Sequence, residues 1–280
     1  MSFAYPFALA LAAAVLDVTL GYPAGLARRI GTPSGWMAAW LGVVRGAGWS
    51  GSGGLALYLA PVAVGATVAA ELLPSGPLGF AASALLVSAF CGRQSLDRRA
   101  RLVASLCEHE GPYEALAAAE ALGPDEAEPR LPRAAAAAIA ARFADEAAAP
   151  TVFILIGGLT GAALCRALVV AGRACRERRD GSDFAAAVAE VERWTVTPAA
   201  RLGALLLALA APWRPAAFRA VAAAAPRPSA PAEAAALAVL GEDPHDDPAY
   251  LRRALALFRR AAAVEILVLA ALALVAIFAA

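Results

Sequence analysis

Three ionisable side chains lie inside long apolar runs, where such groups are costly unless they are paired or functional. Asp17 stands near the end of the run 3–20, Arg166 well inside 150–172, and Glu265 early in 261–280. An interfacial position or an arginine partner accounts for Asp17, and an interfacial position for Glu265. Arg166 reads either as a paired group or as a functional one. Asp145 and Glu146 precede Pro150 and the fourth apolar run. Such an acidic pair suits Mg²⁺ or a substrate amine, and favourable placement at a helix start explains it too. Glu190 and Glu192 are spaced as solvated carboxylates of an amphipathic helix, and Asp246 and Asp247 read as a helix N-terminal signal before Pro248.

Other chemistries are poorly served. All 24 basic side chains are arginine, so no phosphate-loop or Schiff-base lysine exists. Cys91, Cys107, Cys165 and Cys175 form no CxxC pair and read as small buried hydrophobes. His109 and His245 have no ligand spacing. Gly157 and Gly161 make a GxxxG spacing, which suits close helix contact; no GK[ST] follows to make a phosphate loop. A net charge of +1 gives no electrostatic case for nucleic acid.

The elements that must position these groups are membrane helices. The chain of 280 residues is 61% hydrophobic and 17% charged, against about 25% charged in ordinary soluble domains. The excess is gathered into runs of the length that crosses about 30 Å of hydrocarbon. The expectation is an all-α, polytopic membrane helical bundle in the inner membrane, one domain over 1–280, with amphipathic helices in its loops. Expected spans are 3–20, 54–73, 78–92, 150–172 and 261–280, with 202–213 marginal. The first is read as a retained span, because no basic n-region precedes it and Asp17 interrupts it. Trp36, Trp40, Trp49, Trp194 and Trp213 flank these segments as interfacial anchors.

The positive-inside rule puts Arg28, Arg29 and Arg45 in the cytoplasm with Arg93, Arg98, Arg99 and Arg101. Strict alternation then sends Arg173, Arg176, Arg178 and Arg179 outside. A re-entrant or partly inserted pair at 150–172 and 202–213 resolves that conflict.

The order of these pieces resembles the cobalamin-biosynthesis CobD/CbiB family, the membrane adenosylcobinamide-phosphate synthases. Leu16-Asp17 through Leu20-Gly21-Tyr22-Pro23 is similar to the family's LDxxLGDP opening. Arg133 through Asp145, with Ala149-Pro150, is similar to its RAAxExxAENFSDxxxAP stretch. Glu192-Arg193-Trp194 through Ala200-Arg201-Leu202 stands in the place of DDxxNWxPARL. Ala232 through Gly241 resembles PEAAMAGALG, and Tyr250 through Arg260 resembles the helix before the last span. The polar signals depart from the pattern. Tyr22 replaces the LGDP acid, and Thr32 stands for a histidine. Ala141, Arg142 and Ala144 replace the Glu, Asn and Ser of ENFSD. The run Cys165 through Ala174 lacks the family's Asn and Asp, and Pro226 to Ala230 lacks the Asn of SPNAG.

The resemblance implies amide-bond formation between adenosylcobyric acid, a corrinoid, and aminopropanol or its phosphate, with Mg²⁺ and ATP. It implies Asp145, Arg166 and Asp17 as catalytic, Asp145 as the Mg²⁺ ligand, and Arg173, Arg201 and Trp194 as substrate-binding. The implied partners are the lipid bilayer, the corrinoid, and either a second copy of the chain or other proteins of the pathway. The alternative is an inactive membrane scaffold or signalling protein of the CobD/CbiB/AmpE-like kind, which the lost polar positions favour.

Overall fold

Alanine, leucine and arginine dominate the chain, and all three are good helix formers. A computed structural model describes residues 4–22, 25, 28–29, 31–109, 131–211, 215–224, 230–241 and 249–279, and every regular element among them is a helix. Trp213, His245, Asp246, Asp247 and residues 225–229 lie outside the described residues. Among the described residues, three helical segments are long and apolar enough to cross a membrane: Gly51–Leu72, Pro132–Glu177 and Ala249–Phe278. The protein is therefore an all-α membrane helical bundle. The chain divides into two compact units.

The first unit comprises Met1–Gly92, Ala149–Val196 and Val268–Ala280. It holds α1 (Tyr5–Thr19), α2 (Pro33–Gly46), α3 (Gly51–Leu72), α4 (Pro77–Ser88) and α7 (Ala149–Glu177). At 1.5 Å per residue α1 and α4 reach only about 22 Å and 18 Å, less than a hydrocarbon core. Helix α7 is the hub and packs on all four of the others. Its buried face is built from Ala162, Ala163, Cys165, Ala167, Ala171 and Gly172, small residues that let helix backbones approach closely.

Polar pins fix the packing. Thr32 caps α2 by accepting from the Gly35 N–H at 3.1 Å, with Pro33 pre-set at the first helical position. Pro61 sits inside α3 and removes one backbone donor. The Trp40 indole N–H donates to the neighbouring Tyr58 carbonyl at 3.2 Å, the kind of outside partner a proline-bearing span needs. The fully buried Tyr58 hydroxyl donates to the Ala167 carbonyl at 3.1 Å, tying α3 to α7. Tyr58→Phe keeps the ring and loses this bond, so thermal unfolding in detergent should show a loss of about 1 kcal/mol. An unchanged unfolding midpoint would mean the hydroxyl contributes nothing.

Helix α7 is broken in mid-span at Gly157 and Gly158, the latter at φ 56, ψ −134, a conformation only glycine adopts readily. The break carries the Phe153 carbonyl over Gly161, where an added Cβ would overlap it. An added Cβ at Gly157 or Gly158 meets nothing within 4 Å. The GxxxG spacing therefore serves a fold of the chain against itself, not contact with a neighbouring helix. After α7, the Ser182 N–H donates to the Asp180 carboxylate at 2.9 Å and Arg45 pairs with it, and these hold the carboxyl below its usual range, the Ser182 bond foremost.

The second unit comprises Arg93–Ala148 and Thr197–Leu267. It holds α5 (Arg93–His109), α6 (Leu131–Phe143), a π-helical turn (Ala144–Ala148), α9 (Pro215–Ala223) and α10 (Ala230–Leu240). It also takes the later part of α8 (Asp183–Ala210) and most of α11 (Ala249–Phe278). Its core joins Leu96, Val103, Ile139, Phe143, Leu207 and Phe258 with many alanines. Phe143 and Phe258 meet edge to face at 5.5 Å. Of the marginal run 202–213, residues 202–210 are the end of α8, and Ala204, Leu207 and Ala208 belong to this core.

Candidate functional site

The π-helical turn Ala144–Ala148 carries Asp145 and Glu146, both buried. Pro150 explains why the helix widens here. Its missing N–H leaves the carbonyl four residues back without a donor, and its ring crowds that carbonyl. A π turn relieves the conflict by inserting a residue, and such turns recur at functional sites.

Three contacts within the second unit brace the turn. Arg142 pairs with Glu146 one turn along at 3.1 Å. Arg93, 1% exposed, donates through Nη2 to the Ala147 carbonyl at 3.3 Å. The same guanidinium is held by Glu265, with Nη2 to Oε1 at 2.6 Å and Nε to Oε2 at 3.3 Å. On another side, Gly203 of α8 lies against the turn, where an added Cβ would stand 2.7 Å from the Ala148 Cβ and 3.2 Å from the Ala144 Cα. Alanines at 144 and 148 thus meet a glycine, and the turn is held against the α8 backbone.

Glu265, expected at the interface, is 3% exposed and bidentate with Arg93. Arg93, expected among cytoplasmic loop cations, is its buried partner. The sequence did hold a signal. An acid in an apolar helix needs a cation, and Arg93 directly follows an apolar run.

Asp145 and Arg201 belong to the second unit, and Asp17, Arg166, Arg173 and Trp194 to the first. Asp17 continues the buried stripe Leu9, Ala10, Ala13 and Ala14 of α1. Buried Arg166 on α7 donates from Nε to the Ser34 hydroxyl at 2.8 Å. Arg173 is half-buried and Arg201 exposed. Trp194 is 70% exposed; its indole N–H donates to Glu190 at 2.7 Å, and Arg193 stacks 5.2 Å from its ring. The indole bond, with Arg193, holds the Glu190 carboxyl below its usual range. Glu192 is not solvated: it is buried, paired with Arg176 at 2.7 Å, and seated on Gly172, which has no side chain to exclude it.

Among the described residues no three His, Cys, Asp or Glu side chains gather as a metal cluster. The π turn fits a smaller requirement. Mg²⁺ is commonly held by one or two carboxylates, with substrate phosphates and water completing its shell. Asp145 and Glu146 are the carboxylates of this turn, the donor type that role takes, and Glu146 also pairs with Arg142.

No family model matches the chain, and no solved structure matches it. Among curated proteins, a Cobalamin biosynthesis protein CobD from Rhodobacter capsulatus is 30% identical over 302 residues, spanning 94% of this chain and 95% of the relative. A second Rhodobacter capsulatus protein of that name matches with the same identity and coverage.

Proposed function

Because the chain belongs to the CobD family of cobalamin biosynthesis proteins, we propose that it makes the amide bond joining adenosylcobyric acid to aminopropanol or its phosphate, at the inner membrane. The carboxylate takes a phosphoryl group from ATP, the amine attacks the resulting acyl phosphate, and phosphate leaves as the amide forms. The observation that carries this reading is the buried, braced π turn presenting Asp145. Asp145 would hold Mg²⁺ through its carboxylate. A magnesium ion bound there supplies charge neutralisation to the nucleotide phosphates. Arg93 and Glu265 keep the turn in place, so the carboxylate is fixed before substrate arrives, which is what electrostatic preorganisation requires. Asp17, Arg166, Arg173, Trp194 and Arg201 are each tested by a single alanine substitution in the assay below.

The test is complementation of a bacterium deleted for its adenosylcobinamide-phosphate synthase, grown on a cobalamin-dependent medium without cobinamide. The wild-type chain should restore growth, and Asp145→Ala, present in the membrane at equal level, should not. Rescue by Asp145→Ala would remove Asp145 from the chemistry.

One observation favours a second reading, a non-catalytic relative. Arg142 stands where the family motif has Asn, and its guanidinium neutralises Glu146, a carboxylate beside Asp145. Failure of the folded wild-type chain to complement, with no adenosylcobyric acid consumed by its membranes, would select this reading.

A further inference from the structure

A cavity of about 420 Å³ opens in the first unit, between α2, α3, α4 and α7. That volume lies in the range of small-ligand sites, roughly 300–1,000 Å³. Its walls are apolar. Trp36 and Trp40 stand on one side, Pro61, Gly65 and Ala66 of α3 on another, and Leu159, just beyond the α7 break, on a third. The polar atom of Trp40 is already engaged by the Tyr58 carbonyl. A polar ligand here would lose its water and find no partner, which costs several kcal/mol.

The surroundings say what fills it. Of the three spans among the described residues, helix α3 is the least covered by protein, with 11% of its apolar stretch buried. Its Val64, Val68 and Leu72 point outward and are exposed. In a membrane-crossing helix that face meets hydrocarbon, so acyl chains are what reach the recess between them. The recess exists because Gly65 and Ala66 leave room; an added Cβ at Gly65 meets nothing within 4 Å. A void there would forfeit dispersion contacts along its whole lining. Trp36, 51% exposed at the rim, is the residue type that settles at the headgroup level.

We propose that this cavity is a lipid site holding one acyl chain of a bilayer phospholipid. The site lies in the first unit and the π turn in the second, and its test does not depend on the biosynthetic activity. The full chain is reconstituted in vesicles of phosphatidylglycerol and phosphatidylethanolamine, a small fraction of which carries a diazirine at one chain terminus. After irradiation, labelled peptides are mapped, and native mass spectrometry counts the phospholipid retained in mild detergent. The expected result is one retained phospholipid per chain, with labelling concentrated on the segments bearing Trp36, Trp40 and Leu159. Gly65→Leu fills open space and should lower both signals at least tenfold. Val68→Leu, on the outward face of the same helix, should leave them unchanged. Labelling of the wild-type chain spread evenly over its outward faces would overturn the proposal whatever the variants do. So would absence of retained lipid, or a Gly65→Leu protein that keeps it.

Discussion

Replacing Glu265 by alanine should destabilise the protein by about 3–5 kcal/mol, the scale expected when one partner of a buried ion pair is removed. The Arg93 and Glu265 side chains are 1% and 4% exposed, so the stranded guanidinium cannot recover hydration. A contrast within the same unit separates this from a surface effect. Asp97 pairs with Arg101 and Arg259, whose side chains are 55% and 51% exposed, and such pairs contribute about 0–1 kcal/mol. Arg101→Ala should thus barely move an unfolding midpoint that Glu265→Ala shifts strongly. Arg93→Met should cost as much again, because it also frees the Ala147 carbonyl of the π turn. The double variant Arg93→Met/Glu265→Leu should lose far less than the sum, since no charge is left buried. A Glu265→Ala protein as stable as Arg101→Ala would show that the pair is hydrated and the bracing of the turn inconsequential.

The second large effect is expected at Gly161. An added Cβ would overlap the Phe153 carbonyl oxygen, and that oxygen belongs to backbone fixed by the break at Gly157 and Gly158. Relief requires the break to open, so Gly161→Ala should cost at least about 1–3 kcal/mol, the range for forced overpacking. Gly158→Ala carries a comparable strain, about 1–3 kcal/mol, through its positive φ. Gly157→Ala has negative φ and free space and is the control. Thermal unfolding in detergent should place Gly161 and Gly158 variants well below wild type and Gly157→Ala near it. Equal midpoints for all three would mean that α7 runs straight through this point in the membrane.

Local pattern made much of this structure legible. The apolar run read at 54–73 lies almost wholly within the helix Gly51–Leu72, and the run at 261–280 within Ala249–Phe278 but for its last residues. The second helix starts earlier than its run because the arginine-rich stretch before it shares the helical period and no glycine or proline separates them. The order of segments around Asp145 carries the resemblance there, and the structure places that residue, buried, in the π turn. What escaped depends on residues far apart in the chain or on local backbone geometry that residue types do not display. Arg93 looks like a loop cation until Glu265 is seen opposite it, 172 residues away. Glu192 has the spacing of a solvated acid until Gly172 is seen beneath it. The glycines at 157–161 have a helix-contact spacing, and only backbone angles reveal a break. The π turn required knowing that Pro150 continues a helix where a proline more often marks a boundary.

The Arg93–Glu265 pair also sets a schedule. At roughly 5–20 residues per second, a separation of 172 residues means that Arg93 exists for about ten to thirty seconds before its carboxylate has been made. Leu251, Leu255 and Phe258 of the same late helix complete the core that Leu96, Ile139 and Phe143 begin. During that interval the second unit has neither its charge partner nor its last wall. The nascent chain must therefore keep α5 and α6 hydrated or guarded by the insertion machinery, and closure comes as a late event instead of helix by helix. Slowing translation after α8 would lengthen the exposed interval and leave membrane proteases longer to cut the unfinished unit.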